Sequence, residues 1–149
     1  MALACIAALA AALVAQHVYD MRPCPWCVLQ RVIFVVIAAL SLLAAAAPAL
    51  RKPVAALVLV FAGLGVASAI YQHVVAAGQV SCNLTLADRI IQALGLETLM
   101  PALFQVTASC AEAAVSLLGV PFEYWSLALF ALLAAAALLL LLEKRRRNR

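Results

Sequence analysis

Polar positions divide the chain into four long apolar runs and one mixed stretch. The first run, Ala2–Tyr19, stays apolar until Gln16 and His17. As a helix it spans roughly 27 Å, just enough to cross the hydrocarbon of a bilayer. A short polar link, Asp20–Cys24, leads to the second run, Trp26–Ala47. Pro48 and Arg51-Lys52-Pro53 make a basic turn before the third, Val54–Ala77. That run holds Gly63 and Gly65, small enough for close helix contact. The fourth, Tyr124–Leu142, opens on Tyr124-Trp125, a pair suited to the membrane–water boundary.

Between the third and fourth runs, Gly78–Glu123 carries four of the six acidic residues. Within it, Leu84–Leu96 reads as a short amphipathic helix with Leu84, Ala87, Ile91 and Leu94 on one side. Leu99, Met100, Leu103, Phe104 and Val106 surround Pro101 in a segment too short to span. It is expected to rest on the interface. The pattern predicts an all-α membrane protein: a four-transmembrane-helix bundle in a single domain over 1–149. Its spans fall at about 2–19, 26–47, 54–77 and 124–142, and its long loop, 78–123, carries short interfacial helices.

Composition strengthens this reading. The chain is 69% hydrophobic and 11% charged, where a soluble domain is about 45–50% apolar and about 25% charged. Mean hydropathy is +1.16. The net charge of +4 does not point to nucleic acid, because the cations sit at span edges without interleaved aromatics. Seven of the ten Lys and Arg lie in the Arg51-Lys52 turn and the tail Lys144–Arg149. The positive-inside rule therefore puts both termini in the cytoplasm and the long loop on the exoplasmic face. The first run lacks the basic start of a signal peptide and is expected to be an uncleaved span.

Of the five cysteines, Cys5 stands alone in an apolar run and is given no role. Cys24, Cys27, Cys82 and Cys110 all fall on the exoplasmic side, where disulfides persist in bacteria. Cys24-Pro25-Trp26-Cys27 is a C-x-x-C at the mouth of the second span. Pro25 suits the first helical position, and it pushes Cys24 just outside the helix. Cys27 then lies in the first turn, near the positive end of the helix dipole, with Arg31 four residues on. Both neighbours favour thiolate, which makes Cys27 the candidate reactive sulfur. Cys82 and Cys110 alone would read as a structural staple. Beside a C-x-x-C on the same face, they also suit exchange between two dithiol pairs.

These residues resemble the bacterial DsbB family of disulfide bond formation proteins, which reoxidise the periplasmic dithiol oxidase DsbA at the expense of a quinone. Gln16-His17-Val18 with Arg22-Pro23-Cys24 is similar to the end of the family's first span. Cys27-Val28-Leu29-Gln30-Arg31 is similar to its C-x-x-C-x-x-x-R, and Tyr71-Gln72-His73 to a Tyr-x-His in its third span. Ser109-Cys110-Ala111-Glu112, Leu118-Gly119 and Trp125 are similar to its return into the fourth.

The resemblance implies a catalytic set of Cys24, Cys27, Cys82 and Cys110. Cys82–Cys110 would meet the DsbA-type partner, with the mixed disulfide at Cys82. Cys24–Cys27 would meet the quinone, ubiquinone or menaquinone. Cys27, Arg31 and His73 would bind the quinone, in a bacterial inner membrane.

Each residue also has a plainer role. Arg31 can snorkel to the interface, although an ionisable group inside a span is a functional candidate. His73 is either a polar anchor or a hydrogen-bond donor to the quinone, and His17 is expected to be an anchor. Gln16 and Gln72 are weaker candidates, Trp26 and Trp125 read as interface belt, and Asp20 and Glu112 as solvated. Three other functions remain to be weighed. A vitamin K epoxide reductase-like enzyme would carry its C-x-x-C at the last span. A four-cysteine zinc site would need a second close pair, and no metal is expected here. A non-enzymatic membrane protein with structural disulfides would not respond to quinone.

Overall fold

The computed structural model describes residues 1–74, 85–113, 115–117 and 119–143. Its elements are α1 (Ala2–Val18), α2 (Pro25–Ala46), a 3-10 turn (Pro48–Leu50), α3 (Arg51–Val74), α4 (Leu86–Ala93), α5 (Leu96–Leu99), α6 (Pro101–Phe104), β1 (Ser116–Leu117), β2 (Val120–Pro121) and α7 (Phe122–Leu142). α2, α3 with its preceding turn, and α7 are long and apolar enough to cross a membrane. The protein is an all-α membrane protein. α1 is apolar and shorter, at 17 residues.

Local chemistry sets the helix ends. α1 stops where Asp20 takes a left-handed conformation (φ 52) and the Met21 N–H bonds back to the Ala15 carbonyl at 3.1 Å. Asp tolerates that region better than most side chains. α2 starts with Pro25 at its first position and Cys24 as its extended N-cap. α4 opens on a reciprocal capping box between Thr85 and Asp88. The antiparallel β1–β2 pair turns through Gly119 at φ 79, a conformation glycine adopts without steric cost. The sequence reading placed no strand there; two residues a side is too short for an alternation to register.

α2, α3 and α7 meet at an aromatic contact. Phe34 and Phe130 stack with centroids 4.1 Å apart and planes 5° off parallel. Gly65 of α3 makes room for the Phe130 ring, which a Cβ there would penetrate. Gly63 has open space around it, so only Gly65 has the packing role expected of both. Cys5, Ile37, Val58 and Leu133 complete this cluster. Large apolar side chains on the outer surfaces, such as Leu57, Val60 and Leu64 of α3 and Leu132, Leu139 and Leu142 of α7, are exposed, as lipid-facing residues are.

The loop folds over the N-terminal end of α2. Ala87 and Ile91 of α4 are buried as the amphipathic pattern expects, whereas Leu94 is exposed. The described helix starts at Leu86, and Leu84 lies outside the described residues. Phe104 is buried while Leu99 and Met100 stand out from the surface.

Candidate functional site

Three sulfurs gather at the start of α2. An α-helix begins with backbone N–H groups that have no partner inside the helix. Here sulfur takes one of them. The Cys27 N–H donates to Cys24 Sγ at 3.2 Å. Cys110 is brought there by its own strand of loop, because the Thr107 and Ala108 N–H groups both donate to the Pro23 carbonyl, at 3.1 and 3.3 Å. Cys24 and Cys27 are unbridged, with sulfurs 2.6 Å apart. Cys24, Cys110, Trp26, Ala87 and Ala113 form one buried cluster.

The electrostatics of the loop-side sulfurs are unequal. A hydrogen bond from Cys24 and another from the Trp26 backbone hold the Cys110 thiol below its ordinary range, against opposing burial. Its partner pays the converse: hydrogen bonding to Cys110 and to Cys27, and then burial, push the Cys24 thiol up. Cys110 and Cys24 are thus neighbours in one buried cluster. Next to Cys110, Ser109 donates its N–H and hydroxyl to the Glu112 carboxylate, at 2.8 and 2.9 Å, which lowers that exposed carboxyl's proton affinity.

Cys27 faces the other way, onto a cavity of about 270 Å³. Ala8, Leu9 and Ala12 of α1, Phe34 of α2 and Leu129 of α7 form apolar walls. The polar rim is Arg22, Cys27, Gln30, Arg31, Gln72, Glu123 and Ser126. Gln72 Nε2 donates to Cys27 Sγ at 3.3 Å, and Gln30 Nε2 donates to Gln72 Oε1 at 2.8 Å. The chain of amides is directional. A thiolate can only accept, so Gln72 must present its NH₂ to Cys27 and its carbonyl to Gln30. Both glutamines are buried.

Arg31 is buried as well, so it does not snorkel. Its Nη1 donates to Gln16 Oε1 at 2.6 Å and to the Leu103 carbonyl at 2.9 Å, and Nη2 reaches the Ala12 carbonyl at 3.5 Å. Those bonds fix the guanidinium between α1 and α6. Of its five N–H donors, two are left without a partner among the described residues.

A model of the family described as "Disulfide bond formation protein DsbB" matches residues 1–140. The chain belongs to the DsbB family. It is 36% identical over 133 residues to "Disulfide bond formation protein B 1" of Pseudomonas syringae pv. syringae (strain B728a), covering 87% of this chain and 79% of that protein. It is 31% identical over 135 residues to "Disulfide bond formation protein B" of Herminiimonas arsenicoxydans, covering 89% and 85%. The corresponding protein of Ralstonia nicotianae (strain ATCC BAA-1114 / GMI1000) is 35% identical over 131 residues, covering 83% and 78%. As a DsbB-family member the chain is a disulfide bond formation protein, a disulfide-forming oxidoreductase.

Of the residues singled out in the sequence, Cys24, Cys27 and Cys110 come together, and Arg31 shares a cavity with Cys27. Cys82 lies outside the described residues. His73 does not line the cavity. Its Nδ1 is paired with Glu123 Oε1 at 2.8 Å, and Glu123 is the member on the cavity wall. Trp26 is a correction. It is buried against Tyr71, with ring centroids 4.7 Å apart, and does not belong to an interfacial belt. Trp125 and Tyr124 are half-exposed, as expected of such a belt.

Gln30, Gln72, Gln16 and Glu123 are contacts that the sequence reading ranked low or passed over. One signal was available for Gln30: an amide three residues past the C-x-x-C, inside an otherwise apolar span, must find a partner there.

Proposed function

We propose that this protein reoxidises a periplasmic DsbA-type dithiol oxidase and passes the electron pair to a membrane quinone, ubiquinone or menaquinone. The observation that carries the reading is the position of Cys27, on the wall of an apolar cavity with a buried cation beside it. The cavity suits such a group: it has apolar walls for a flat ring and guanidinium and amide donors at one end. When bound, the quinone supplies a two-electron acceptor.

The chain's own residues do the rest. In the oxidised resting enzyme, Cys82 is disulfide-bonded to Cys110 and Cys24 to Cys27. A thiolate of the reduced partner attacks Cys82, and Cys110 leaves. Cys110 then attacks Cys24, and Cys27 leaves as a thiolate on the cavity wall. The second partner thiol resolves the mixed disulfide, releasing oxidised partner. Cys82 returns to Cys110, and Cys24 is freed to reform its bond with Cys27 as two electrons pass to the quinone. The sum is partner dithiol plus quinone going to partner disulfide plus quinol. Arg31 supplies fixed positive charge where negative charge develops, in a low-dielectric setting where it is worth most. Gln72 orients Cys27.

In this reading residues 1–149 form one domain of four antiparallel spans in a bacterial inner membrane, with α1 as the first crossing. Both termini are cytoplasmic and the cysteine pairs are periplasmic. The Lys and Arg bias supports that orientation. The test is anaerobic transfer from a reduced DsbA-type thioredoxin-fold protein to added ubiquinone, with and without this protein in lipid. Quinol formation that needs both proteins supports the reading. Partner oxidation without quinol formation refutes it.

A further inference from the structure

Reducing a quinone takes two protons as well as two electrons, and most of the wall of this cavity is apolar and can supply none. Among the described residues, the polar rim offers few groups that can pass a proton. Arg22 and Arg31 hold theirs throughout the accessible pH range. Gln30, Gln72 and Ser126 are not acids. Cys27 supplies the electrons. That leaves Glu123, the one carboxyl on the wall. It is 6% exposed, and a buried carboxyl inside a membrane protein is costly without a use. Its partner, His73, is bonded to it at 2.8 Å and keeps 41% of its side chain open to solvent. One member of the pair thus touches the cavity and the other touches the outside.

We propose that His73 and Glu123 form the proton entry of the cavity, a carboxyl–imidazole relay between the aqueous face and the quinone oxygens. This rests on the quinone reading above. Cys24 and Cys27 lose two electrons as their S–S bond forms, and their two thiol protons leave to water when the thiolates form. The quinone takes up those two electrons and two protons. Each proton passes from Glu123 to a ring oxygen. His73 then reprotonates Glu123 through Nδ1, and water reprotonates His73. His73 is therefore the outer station of the path, and Glu123 the group that meets the ring.

The charged and titratable groups around the pair are Arg22 on the α1–α2 link, Cys27 and Arg31 on α2, and Tyr124 on α7, whose ring lies 4.8 Å from that of His73. α1 contributes only Ala and Leu side chains to the cavity wall.

The test uses the full chain in lipid nanodiscs, with a water-soluble short-chain benzoquinone as probe. Glu123→Gln keeps the size and a hydrogen bond to His73 but cannot relay a proton. In single-turnover mixing of the prereduced protein, it should slow quinol formation by about ten- to a hundredfold, the low end of what a positioned acid contributes. Equilibrium binding of the probe, read by tryptophan quenching, should change by less than about threefold, since the loss is of proton delivery. Formic acid should restore the rate of Glu123→Ala in proportion to its protonated fraction, which a purely structural carboxylate would not allow.

A Glu123→Gln protein that forms quinol at the wild-type rate from pH 5 to 8 overturns the proposal. So does a slowed Glu123→Ala protein that small acids do not rescue. A wild-type protein that never reduces the probe refutes the quinone reading instead, so the two failures are distinguishable.

Discussion

Cys5 and Cys27 are both cysteines on apolar helices, and their surroundings differ in kind. Cys5 is fully buried in an apolar cluster with Ile33, Phe34, Val58 and Phe130. Cys27 has a sulfur neighbour at 2.6 Å, an amide donor at 3.3 Å and a guanidinium on the wall of the same cavity. Burial in apolar surroundings makes a thiol inert; burial beside donors and cations makes a thiolate available. Two neighbouring layers of the bundle also pack differently. One stacks Phe34 on Phe130 against Gly65, and the next, toward Cys27, holds Gln30, Arg31 and Gln72 inside.

The sharpest break between the regions is removal of each sulfur. Cys27→Ala should reduce quinone turnover to background, whereas Cys5→Ala should leave it within about twofold, since it deletes one buried atom from a core that can relax. Steady-state quinol formation at matched folded protein reads both.

Arg31 comes next. Losing a charge-assisted hydrogen bond at the reacting centre costs about 1.5–3 kcal/mol, or on the order of ten- to a hundredfold in rate. Arg31→Ala should therefore raise KM for quinone and lower turnover. Arg31→Lys should recover only part, because an ammonium cannot hold Gln16, Leu103 and the cavity at once as the planar fork does. Equal kinetics in all three proteins would reduce Arg31 to a packing residue.

In the aromatic layer, Gly65→Ala should destabilise the bundle by about 1–3 kcal/mol, the usual cost of overpacking. Gly63→Ala, which meets open space, should change stability by less than about 0.5 kcal/mol. Reversible unfolding in mixed micelles compares them. Smallest of all, Gln72→Leu should slow alkylation of Cys27 at pH 7 by about fivefold, the worth of one buried hydrogen bond of ~1 kcal/mol. The readout is iodoacetamide labelling of a Cys24→Ala protein, where Cys27 stands alone at the cavity.

What was legible in the sequence followed from periodicity and from cysteine spacing. The long apolar runs at 26–47 and 124–142 gave helices within two residues of their ends, because Pro25 and the Phe122–Trp125 opening mark where each begins. The C-x-x-C and the arginine four residues on were legible because a helix puts such positions on one face. The partners of those groups were not. Gln72 lies 45 residues from Cys27, and Glu123 lies 50 from His73. Such pairs depend on how α3 and α7 pack against α2, which no local pattern encodes. Trp26 was misplaced for the same reason. A tryptophan at a span end suits the interface, and only the loop folded over it, with Tyr71 alongside, buries it.

The central claim is that Cys24 and Cys27 hand an electron pair to a quinone in the cavity beside them. It is tested most directly in one turnover without any partner. The protein is reduced, freed of reductant and mixed anaerobically with one equivalent of ubiquinone in lipid. Quinol is followed by absorbance, and the cysteines are mapped by mass spectrometry after acid quench. The account predicts one quinol for each new Cys24–Cys27 disulfide, with both lost in a Cys27→Ala protein. Quinol formed with Cys24 and Cys27 still reduced, or a Cys24–Cys27 disulfide formed with no quinol, would contradict it.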